Sequence, residues 1–529
     1  TQAIRILKLF GKEDVTNVKC SVGPEQEYFL IDRDQFLQRD DLIFTGRTLF
    51  GSMPPKGQEL DDHYFGTIRE RQAAFMRELN DELWKLGILS KTQHNEVAPA
   101  QHEMAPIYST ANIATDHNQL VMETMKKVAR RHNFECLLHE KPFAGVNGSG
   151  KHDNWSLVTN TGKNLLSPGK TPYDNKQFLL FLSAVIAAVD DNAALLRMSA
   201  SNPGNDHRLG ANEAPPAIIS IFLGEQLEDI VEQILQNGTA THSNKGERMD
   251  IGVHTIPPIK KDATDRNRTS PFAFTGNKFE FRMVASSMSI AGANTVLNAT
   301  VADVLQSMAD RMEKADDLDK TVDEIIYETL KEHHRVIFNG NGYSDEWIAE
   351  AEKRGLPNVK TMVDATASLL YPKTIEMFER QHVYTKTELE SRAEINYEAY
   401  AKAINIEAKT MIHMASKEYI PAIISYVTSL GDSINSISAA CAEADLSVQK
   451  DLLTTCSSLL AKAQTALYAL KDADKKANAM EEGKEQAEFF RDTVFTAMAD
   501  LRAPIDELEM IVDKEYWPVP SYGDMLFEV

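Results

Sequence analysis

The sequence predicts an α+β fold, an antiparallel sheet with flanking helices, followed by a large helical C-terminal region. Most of the Gly, Pro and Asn residues lie before residue 300, among short β-like runs and separate amphipathic helices. This mixture favours an antiparallel sheet over a repeated βαβ series. After residue 300 the apolar residues recur at three- and four-residue spacing with charges between them, which indicates helices almost throughout.

Each predicted element of the first part has its own pattern. Residues 22–31 and 278–284 are rich in β-branched and aromatic residues, which is typical of strands. The run at 178–189 is the most apolar in the chain, is too short to cross a bilayer, and is predicted to be a buried helix. The helices of this part are predicted at 64–86, 112–133, 175–198 and 227–237.

The second part contains helical stretches at 396–413, 448–470 and 484–512, with a charged turn predicted at 471–485. No motif that carries chemistry is found among them. We therefore predict a catalytic domain over 1–300, and a helical region over 301–529 that serves packing and oligomer contacts.

Composition excludes several classes of protein. The chain has 529 residues, 43% of them hydrophobic, and its 56 basic and 78 acidic residues give a net charge of −22. It can bury a large core, so a disordered or fibrous protein is excluded. The acidic balance argues against a general nucleic-acid binder, although not against a phosphate-binding pocket. Four widely spaced cysteines without a CxxC pair argue against disulfides and structural zinc, and predict a reducing cytoplasm.

Two carboxylates, Glu25 and Glu27, lie two residues apart in a predicted strand. Side chains at this spacing project from the same face. A solvated strand face would give the same pattern, but the apolar residues that follow predict that the strand is buried. Buried carboxylate pairs need a cation or a shared proton.

A glycine-rich loop at 147–156 contains His152. With Gly145 and Lys151 it matches most of a phosphate-binding P-loop pattern, but His152 stands where Ser or Thr should hold magnesium. We therefore reject the P-loop interpretation. A flexible loop that presents backbone amides and a histidine remains a possible interpretation.

Three more glutamates lie in unusual contexts. Glu96 and Glu103 flank a proline, which prevents a regular helix from presenting them. Glu280 alternates with two phenylalanines between Lys278 and Arg282, so one face of that strand is charged. A surface strand would look the same, but arginine is suited to bidentate binding of carboxylates and phosphates. Carboxylate-dominated sites favour magnesium or manganese over zinc, so a metal-dependent enzyme that acts on phosphates is predicted.

Taken in order, these motifs resemble those of the glutamine synthetase family. The tail that ends in a Trp-Pro-Val-Pro-Ser-Tyr segment is similar to the type III branch, whose chains are larger than those of the other types. The matching segments are 23–29, 96–103, 147–152, 208–215, 267–270 and 280–282.

The resemblance implies two magnesium or manganese sites, each with three protein ligands. One ion would contact the glutamyl phosphate, and the other would bridge the ATP phosphates. The implied ligands are Glu27, Glu96 and Glu103 for the first ion, and Glu25, His152 and Glu280 for the second.

The resemblance also implies the substrate contacts. Asn147 and Gly148 would bind the amino-acid end of glutamate, and Arg208 would bind its carboxylate. Arg282 would lie near the γ-carboxyl and the transferring phosphoryl group. Glu213 would lie in a flap that shields the intermediate and accepts a proton from ammonium.

Four residues match positions that contact ATP in the family: Arg268 and Lys278 at the phosphates, and Asn154 and Ser156 at the nucleotide. Asn154 replaces a histidine common in this loop, and Lys278 replaces an arginine. A further family arginine that follows Arg268 has no counterpart. The family's N-terminal β-grasp domain, which completes a neighbouring subunit's site, is not visible in this chain.

The expected function is ATP-dependent ligation of ammonia to L-glutamate through a γ-glutamyl phosphate, which gives glutamine, ADP and phosphate. The resemblance implies a ring-based homo-oligomer, such as a dodecamer, with no nucleic-acid or membrane partner. Two alternatives remain open at this stage. One is a ligase of the same family that joins glutamate to a polyamine, and the other is a non-catalytic structural relative.

Overall fold

The computed structural model describes residues 1–210, 214–243, 248–249, 259–260 and 267–527. A nine-stranded sheet and a separate two-stranded pair lie in the first part of the chain. The strands are β1 (Val18–Asp32), β2 (Ser90–Asn95), β3 (Gln101–Pro106), β4 (Ser109–Thr110), β5 (Phe134–Leu137), β6 (Gly150–Thr159), β7 (Ile221–Phe222), β8 (Arg248–Met249), β9 (Ile259–Lys260), β10 (Phe272–Phe274) and β11 (Phe279–Ala285).

The long strand β1 lies in the middle of this sheet. The strand order is β2-β3-β1-β6-β11-β10-β7, while β4 and β5 also pair with β1. Every pair is antiparallel except β7 with β10, so the predicted antiparallel sheet is confirmed. The two-stranded pair consists of β8 and β9.

Helices flank the sheet in the first part, as predicted. The segment predicted as one helix at 175–198 is instead two helices with an 80° bend between them. The break lies at Asn192, directly after two aspartates. The helices are α1 (Gln2–Leu9), α2 (Arg33–Phe36), α3 (Asp40–Thr45), α4 (Glu70–Lys85), α5 (Ala111–Arg131), α6 (Lys176–Asp191), α7 (Ala193–Ser199), α8 (Pro203–Arg208) and α9 (Glu225–Asn237).

The second part is helical, as predicted. Two π-helical turns, Ala415–Tyr419 and Phe490–Val494, each join two α-helices into a longer one. The turn predicted at 471–485 is shorter than expected, because its Ala- and Lys-rich start continues the preceding helix to Ala477. The helices are α10 (Ala291–Met312), α11 (Leu318–His333), α12 (Asp345–Lys353), α13 (Met362–Thr366), α14 (Pro372–Arg380), α15 (Lys386–Met414), α16 (Ile420–Ala440), α17 (Ser447–Ala477), α18 (Lys484–Phe489), α19 (Phe495–Glu509) and α20 (Tyr522–Phe527).

Helix α6 forms part of the main hydrophobic core, which confirms the predicted buried helix. Its side chains from Phe178 to Asp190 are all buried. Within the described part of the chain, no single helix has the length and apolar character needed to cross a membrane. The bent pair α6 and α7 meets those two criteria together.

The C-terminal helix α20 packs against the loop that precedes β6. The Tyr522 hydroxyl accepts a hydrogen bond from the backbone N–H of Ala144 at 3.1 Å and lies 2.6 Å from the hydroxyl of Thr48. Its ring meets that of Phe143 edge-on, with 5.3 Å between the centroids. This loop therefore depends on a residue near the other end of the sequence.

A buried ion pair connects the two parts of the chain. Arg47 Nε donates to Glu407 Oε1 at 2.8 Å, and Arg47 Nη2 donates to Glu407 Oε2 at 2.7 Å. Burial alone would raise the pKa of Glu407, but Arg47 outweighs this effect and holds the pKa below its usual range. The pair therefore stabilises the fold at neutral pH, and this contribution is lost as the pH falls through that lowered pKa.

Removing one partner of this pair should destabilise the protein strongly. In Glu407→Ala, Arg47 becomes a buried charge without its partner, so we expect a loss of about 3–5 kcal/mol in the free energy of unfolding. Urea unfolding at pH 7 measures this loss. The double variant Arg47→Met/Glu407→Leu should recover most of it, because no charge remains buried. An unchanged urea midpoint in Glu407→Ala would contradict the prediction.

Candidate active site

The strands around β1 bring the predicted metal ligands together. Glu25 and Glu27 alternate along β1 with fully buried residues. In the antiparallel pairing, Glu103 of β3 lies opposite Glu27, and His152 of β6 lies opposite Glu25. Directly opposed residues present their side chains on the same face of a sheet. Four of the predicted ligands therefore converge because of strand register alone.

The other two predicted ligands come from β11 and from the turn after β2. Glu280 of β11 pairs with Asn154, which lies two residues from His152 on β6 and therefore on the same face. Glu96 directly follows β2, and its backbone N–H donates to the carbonyl of Gln101 at 2.9 Å. This bond closes the turn that leads into β3, so the segment is a hairpin turn and not a helix, as predicted.

His94 is a site residue that the sequence analysis missed. It lies on β2 opposite Glu103, with its Nε2 3.1 Å from Glu103 Oε1 and its Nδ1 3.5 Å from Glu96 Oε1. The ligand atoms of these three side chains lie within 4.8 Å of one another. His94 lies on β2 two residues before Glu96, which directly follows that strand, and a two-residue spacing between potential ligands is the pattern that predicts Glu25 and Glu27 as a pair.

The carboxylates of this site repel one another and make the imidazoles more basic. Burial raises the pKa of Glu103, and the nearby charges of Glu25 and Glu27 raise it further. The hydrogen bond to Glu103 raises the pKa of His94 to about 9. Burial alone would lower the pKa of His152, but Glu25, 3.3 Å away, and Glu27 raise it to about 9. The site therefore favours added positive charge.

This set of donors fits magnesium or manganese. Carboxylate oxygens are the ligands that hard divalent ions prefer, and here five candidate carboxylates outnumber two imidazoles. A divalent ion among them would also remove the repulsion that raises the pKa of Glu103. The register pairs Glu27 with Glu103 and Glu25 with His152, which agrees with the predicted division between two ions. The assignment of three ligands to each ion stays a prediction.

Glu280 is paired with two cations. Arg282 Nη2 lies 3.0 Å from Glu280 Oε2, and Lys278 Nζ lies 3.2 Å from Glu280 Oε1. Burial would raise the pKa of Glu280, but Arg282, His152 and Lys278 together lower it to about 2. Arg282 also donates to the carbonyl of Asn267. Arg282, the predicted contact of the γ-carboxyl group, therefore lies beside a predicted metal ligand.

Arg208 is a buried residue at the end of α8. Its Nη1 donates to Asn205 Oδ1 at 3.2 Å, while its Nε has no hydrogen-bond partner among the described residues. A Cβ atom on Gly148 would lie 3.0 Å from Arg208 Cγ, and one on Gly150 would lie 2.2 Å from Arg208 Nη2. Glycine is therefore needed at both positions for the loop to pack on Arg208. A buried guanidinium with an unused donor fits a carboxylate ligand.

The glycine-rich loop is fixed at its start by Gln58. Gln58 Nε2 donates to Asn147 Oδ1 at 2.8 Å, and the backbone N–H of Asn147 donates to Gln58 Oε1 at 2.9 Å. From Gly150 onward the segment predicted as a loop at 147–156 is strand β6, so the interpretation as a flexible loop is wrong for His152. A strand and not a helix follows Gly148, which confirms the rejection of a P-loop. Asn147, Gly148 and Arg208 thus lie in one connected region, as their predicted common ligand requires.

A cavity of about 460 Å³ opens beside Glu25. Three of the predicted ATP contacts, Asn154, Ser156 and Lys278, line it. Asn154 Nδ2 donates to Glu25 Oε1 at 2.8 Å, and Lys278 Nζ donates to Asn154 Oδ1. Asn154 and Lys278, two of these candidate nucleotide contacts, are therefore in direct contact with the candidate metal ligands Glu25 and Glu280.

Two of the predicted site residues, Arg268 and Glu213, are not placed beside the other candidate residues by the described part of the structure. Arg268 does not line the cavity, and its guanidinium carbon lies 5.7 Å from the ring centroid of Tyr64, where a cation is attracted to the aromatic face. Glu213 lies outside the described residues. Of its flanking residues, Gly210 donates its backbone N–H to the carbonyl of Pro215 at 3.0 Å.

Comparison with known proteins identifies the family of this chain. Residues 2–218 match the family described as the glutamine synthetase catalytic domain, and residues 321–438 match the glutamine synthetase C-terminal domain. Glutamine synthetase of Butyrivibrio fibrisolvens is 47% identical over 535 residues, which cover 100% of this chain and 75% of that protein. Type-3 glutamine synthetase of Dictyostelium discoideum is 44% identical over 537 residues, which cover 99% of this chain and 72% of that protein. Glutamine synthetase of Bacteroides fragilis (strain YCH46) is 43% identical over 535 residues, which cover 99% of this chain and 73% of that protein. This chain therefore belongs to the glutamine synthetase family.

Proposed function

We propose that this protein joins ammonia to L-glutamate through a γ-glutamyl phosphate, with ATP converted to ADP and phosphate. The observation that carries the proposal is the convergence of five glutamates and two histidines at one face of the sheet, beside a cavity lined by candidate ATP contacts. Family membership supports the same activity. The chemistry needs such a site, because a carboxylate is a poor electrophile and has to be activated before ammonia can attack.

The chain's own residues account for binding and orientation in this proposal. Arg208 binds the α-carboxylate of glutamate, and the loop at Asn147 and Gly148 binds its amino-acid end. Arg282 faces the γ-carboxyl group and the phosphoryl group that is transferred to it. When bound, divalent ions offset the negative charge on these two groups.

The identity of the acceptor amine is tested by measuring glutamate-dependent phosphate release from ATP. Purified protein is assayed with magnesium or manganese and with ammonium, putrescine or ethylamine as the acceptor. Ammonium should support the highest kcat/KM, and glutamine should be the product. A preference for putrescine would instead indicate the polyamine ligase of the same family. No glutamate-dependent phosphate release with any acceptor would indicate a non-catalytic relative.

Glu213 is the proposed base of the second half-reaction. In Glu213→Ala, acyl-phosphate formation should continue, because the proposed metal and ATP contacts are unchanged. Ammonia transfer should fall by about 10²-fold, as is typical when a positioned base is lost. Part of the intermediate should then react with water or cyclise, so the ratio of ADP to glutamine should exceed one. A ratio of one at near wild-type rate would show that Glu213 has no such role.

A further inference from the structure

We propose that Glu140, a buried carboxylate outside the predicted machinery, is a positioning residue for the glutamate pocket. Glu140 is 1% exposed and lies between β5 and the glycine-rich loop. The inference rests on the proposed function, because it concerns the pocket formed by Arg208 and that loop. In this proposal Glu140 does not itself contact glutamate, ATP or a metal ion.

Glu140 holds the glycine-rich loop through its backbone. Its carbonyl accepts a hydrogen bond from the backbone N–H of Ser149 at 2.9 Å. A Cβ atom on Gly148 would lie 2.2 Å from this carbonyl oxygen, so the loop passes as close to Glu140 as a glycine allows. A Cβ atom on the same Gly148 would also lie 3.0 Å from Arg208 Cγ. The loop is thus enclosed between Glu140 and Arg208.

The side chain of Glu140 contacts two further elements of the pocket. Its Oε1 accepts hydrogen bonds from the backbone N–H of Ser287 at 2.8 Å and from the Ser287 hydroxyl at 2.6 Å. A Cβ atom on Gly204 would lie 2.0 Å from Oε2. Gly204 lies on α8, one helical turn before Arg208. The carboxylate therefore fills the space between the turn after β11 and the helix that presents Arg208.

The turn after β11 that contains Ser287 is also hydrogen-bonded to the strand that carries two candidate metal ligands. The hydroxyl of Ser286 donates to the carbonyl of Glu27 at 2.8 Å and accepts from Gln26 Nε2 at 2.9 Å. Glu140 thus links α8, the glycine-rich loop and β1 through short contacts. A change at Glu140 should shift these elements relative to one another.

The negative charge of Glu140 also acts on the Arg208 guanidinium. Burial lowers the pKa of Arg208, and the carboxylates of Glu27 and Glu140 oppose that effect. Glu27 is a predicted metal ligand, so its charge is shared with an ion when one is bound. The charge of Glu140 would then still balance the guanidinium, and its loss should weaken the orientation of Arg208.

The decisive variant is Glu140→Gln, which keeps the size of the side chain and removes its charge. We expect the KM for glutamate and the calorimetric Kd for glutamate to rise roughly tenfold, as for the loss of one charged contact. The KM for ATP should change less than twofold. Gly204→Ala, which displaces Oε2 without altering the charge, should shift the glutamate constants in the same direction.

The matched control is Glu135→Gln, which removes another buried carboxylate from neighbouring β5. Glu135 pairs with Arg33 at 2.7 Å and with Arg130 at 3.0 Å, away from the pocket. It should lower stability and leave both glutamate constants unchanged. If Glu140→Gln does not fold, Ser287→Ala removes one bond to Oε1 and should raise the glutamate constants about threefold.

The outcomes separate this proposal from the proposed function. Wild-type protein that releases phosphate only with glutamate and ammonium supports the function, whatever Glu140→Gln does. A loss of stability in Glu140→Gln with an unchanged Kd for glutamate would overturn the positioning role alone. Equal changes in the constants for glutamate and ATP would also overturn it. Wild-type protein that does not bind glutamate would overturn both.

Discussion

Glu27→Gln is expected to fold like the wild type and to lose activity by at least about 10³-fold, because it removes a carboxylate from the candidate metal site. Glu27 Oε2 accepts the backbone N–H of Gly150 at 2.6 Å. The amide oxygen of glutamine can accept the same bond, so the start of β6 should keep its place. The lost negative charge, in contrast, has no replacement.

The expected loss follows from the charge balance of the site. Glu27 faces Glu103 across the β1–β3 pair, and its charge helps to raise the pKa of Glu103. An ion held between them loses one of its anionic ligands in the variant. A loss of about 4 kcal/mol in transition-state stabilisation corresponds to roughly 10³-fold in rate. The affinity for manganese, measured by calorimetry, should fall as well.

Glu135→Gln is again the matched control, because Glu135 is buried on a strand that also pairs with β1. It should bind manganese with wild-type affinity. Retained activity and manganese affinity in Glu27→Gln, with thermal unfolding unchanged, would show that Glu27 is not a metal ligand.

Arg208→Ala should raise the KM for glutamate by about 10²–10³-fold while the KM for ATP changes little. Arg208 is buried, and its Nε has no hydrogen-bond partner in the part of the chain that the structure describes. A Cβ atom on Gly148 or Gly150 would crowd its side chain. Truncating one partner of a buried charge pair costs roughly 2–5 kcal/mol. Arg208→Lys should recover part of the affinity, because it restores the charge without the planar fork.

Arg197→Ala serves as the comparison for Arg208→Ala. Arg197 pairs with Asp206 of α8 at 3.2 Å, so its removal perturbs the helix that presents Arg208 without removing Arg208 itself. Arg197 is equally buried on α7 and also donates to the carbonyls of Val359 and Lys360. Its loss should reduce stability and leave the KM for glutamate within about twofold, since no substrate contact is removed. If both variants raised the KM for glutamate equally, Arg208 would have no specific role in binding it.

The family resemblance predicts both the candidate ligands and their division between two ions, whereas local sequence patterns alone do not predict which strands bring them together. Glu25 and Glu27 were identified from a two-residue spacing on one strand, and β1 confirms that strand. Glu103 and His152 were identified as motif members, but their positions opposite β1 depend on register between distant segments. Register is set by long-range packing, which local periodicity does not report.

His94 and Glu140 show two different reasons for a missed residue. His94 has a local signal, because it lies on β2 two residues before Glu96, which directly follows that strand. Glu140 carried none, since its contacts are with Ser287 and Gly204, which are distant in sequence. The broken helix at Asn192 is a third case, because the apolar periodicity continues on both sides of the bend.

The contact between Tyr522 and the loop before β6 has a consequence for the order of folding. The hydrogen bond from Ala144 to Tyr522 joins residues 378 positions apart, and the contact of Tyr522 with Thr48 spans 474. During synthesis the ribosome has to add every residue up to Tyr522 before either contact can form. Contacts of such long sequence separation form late and slowly, because their loop-closure entropy is unfavourable. The loop that carries Asn147 should therefore reach its final packing only after α20 has been made, so a nascent chain can hold the complete sheet and still lack a finished substrate pocket.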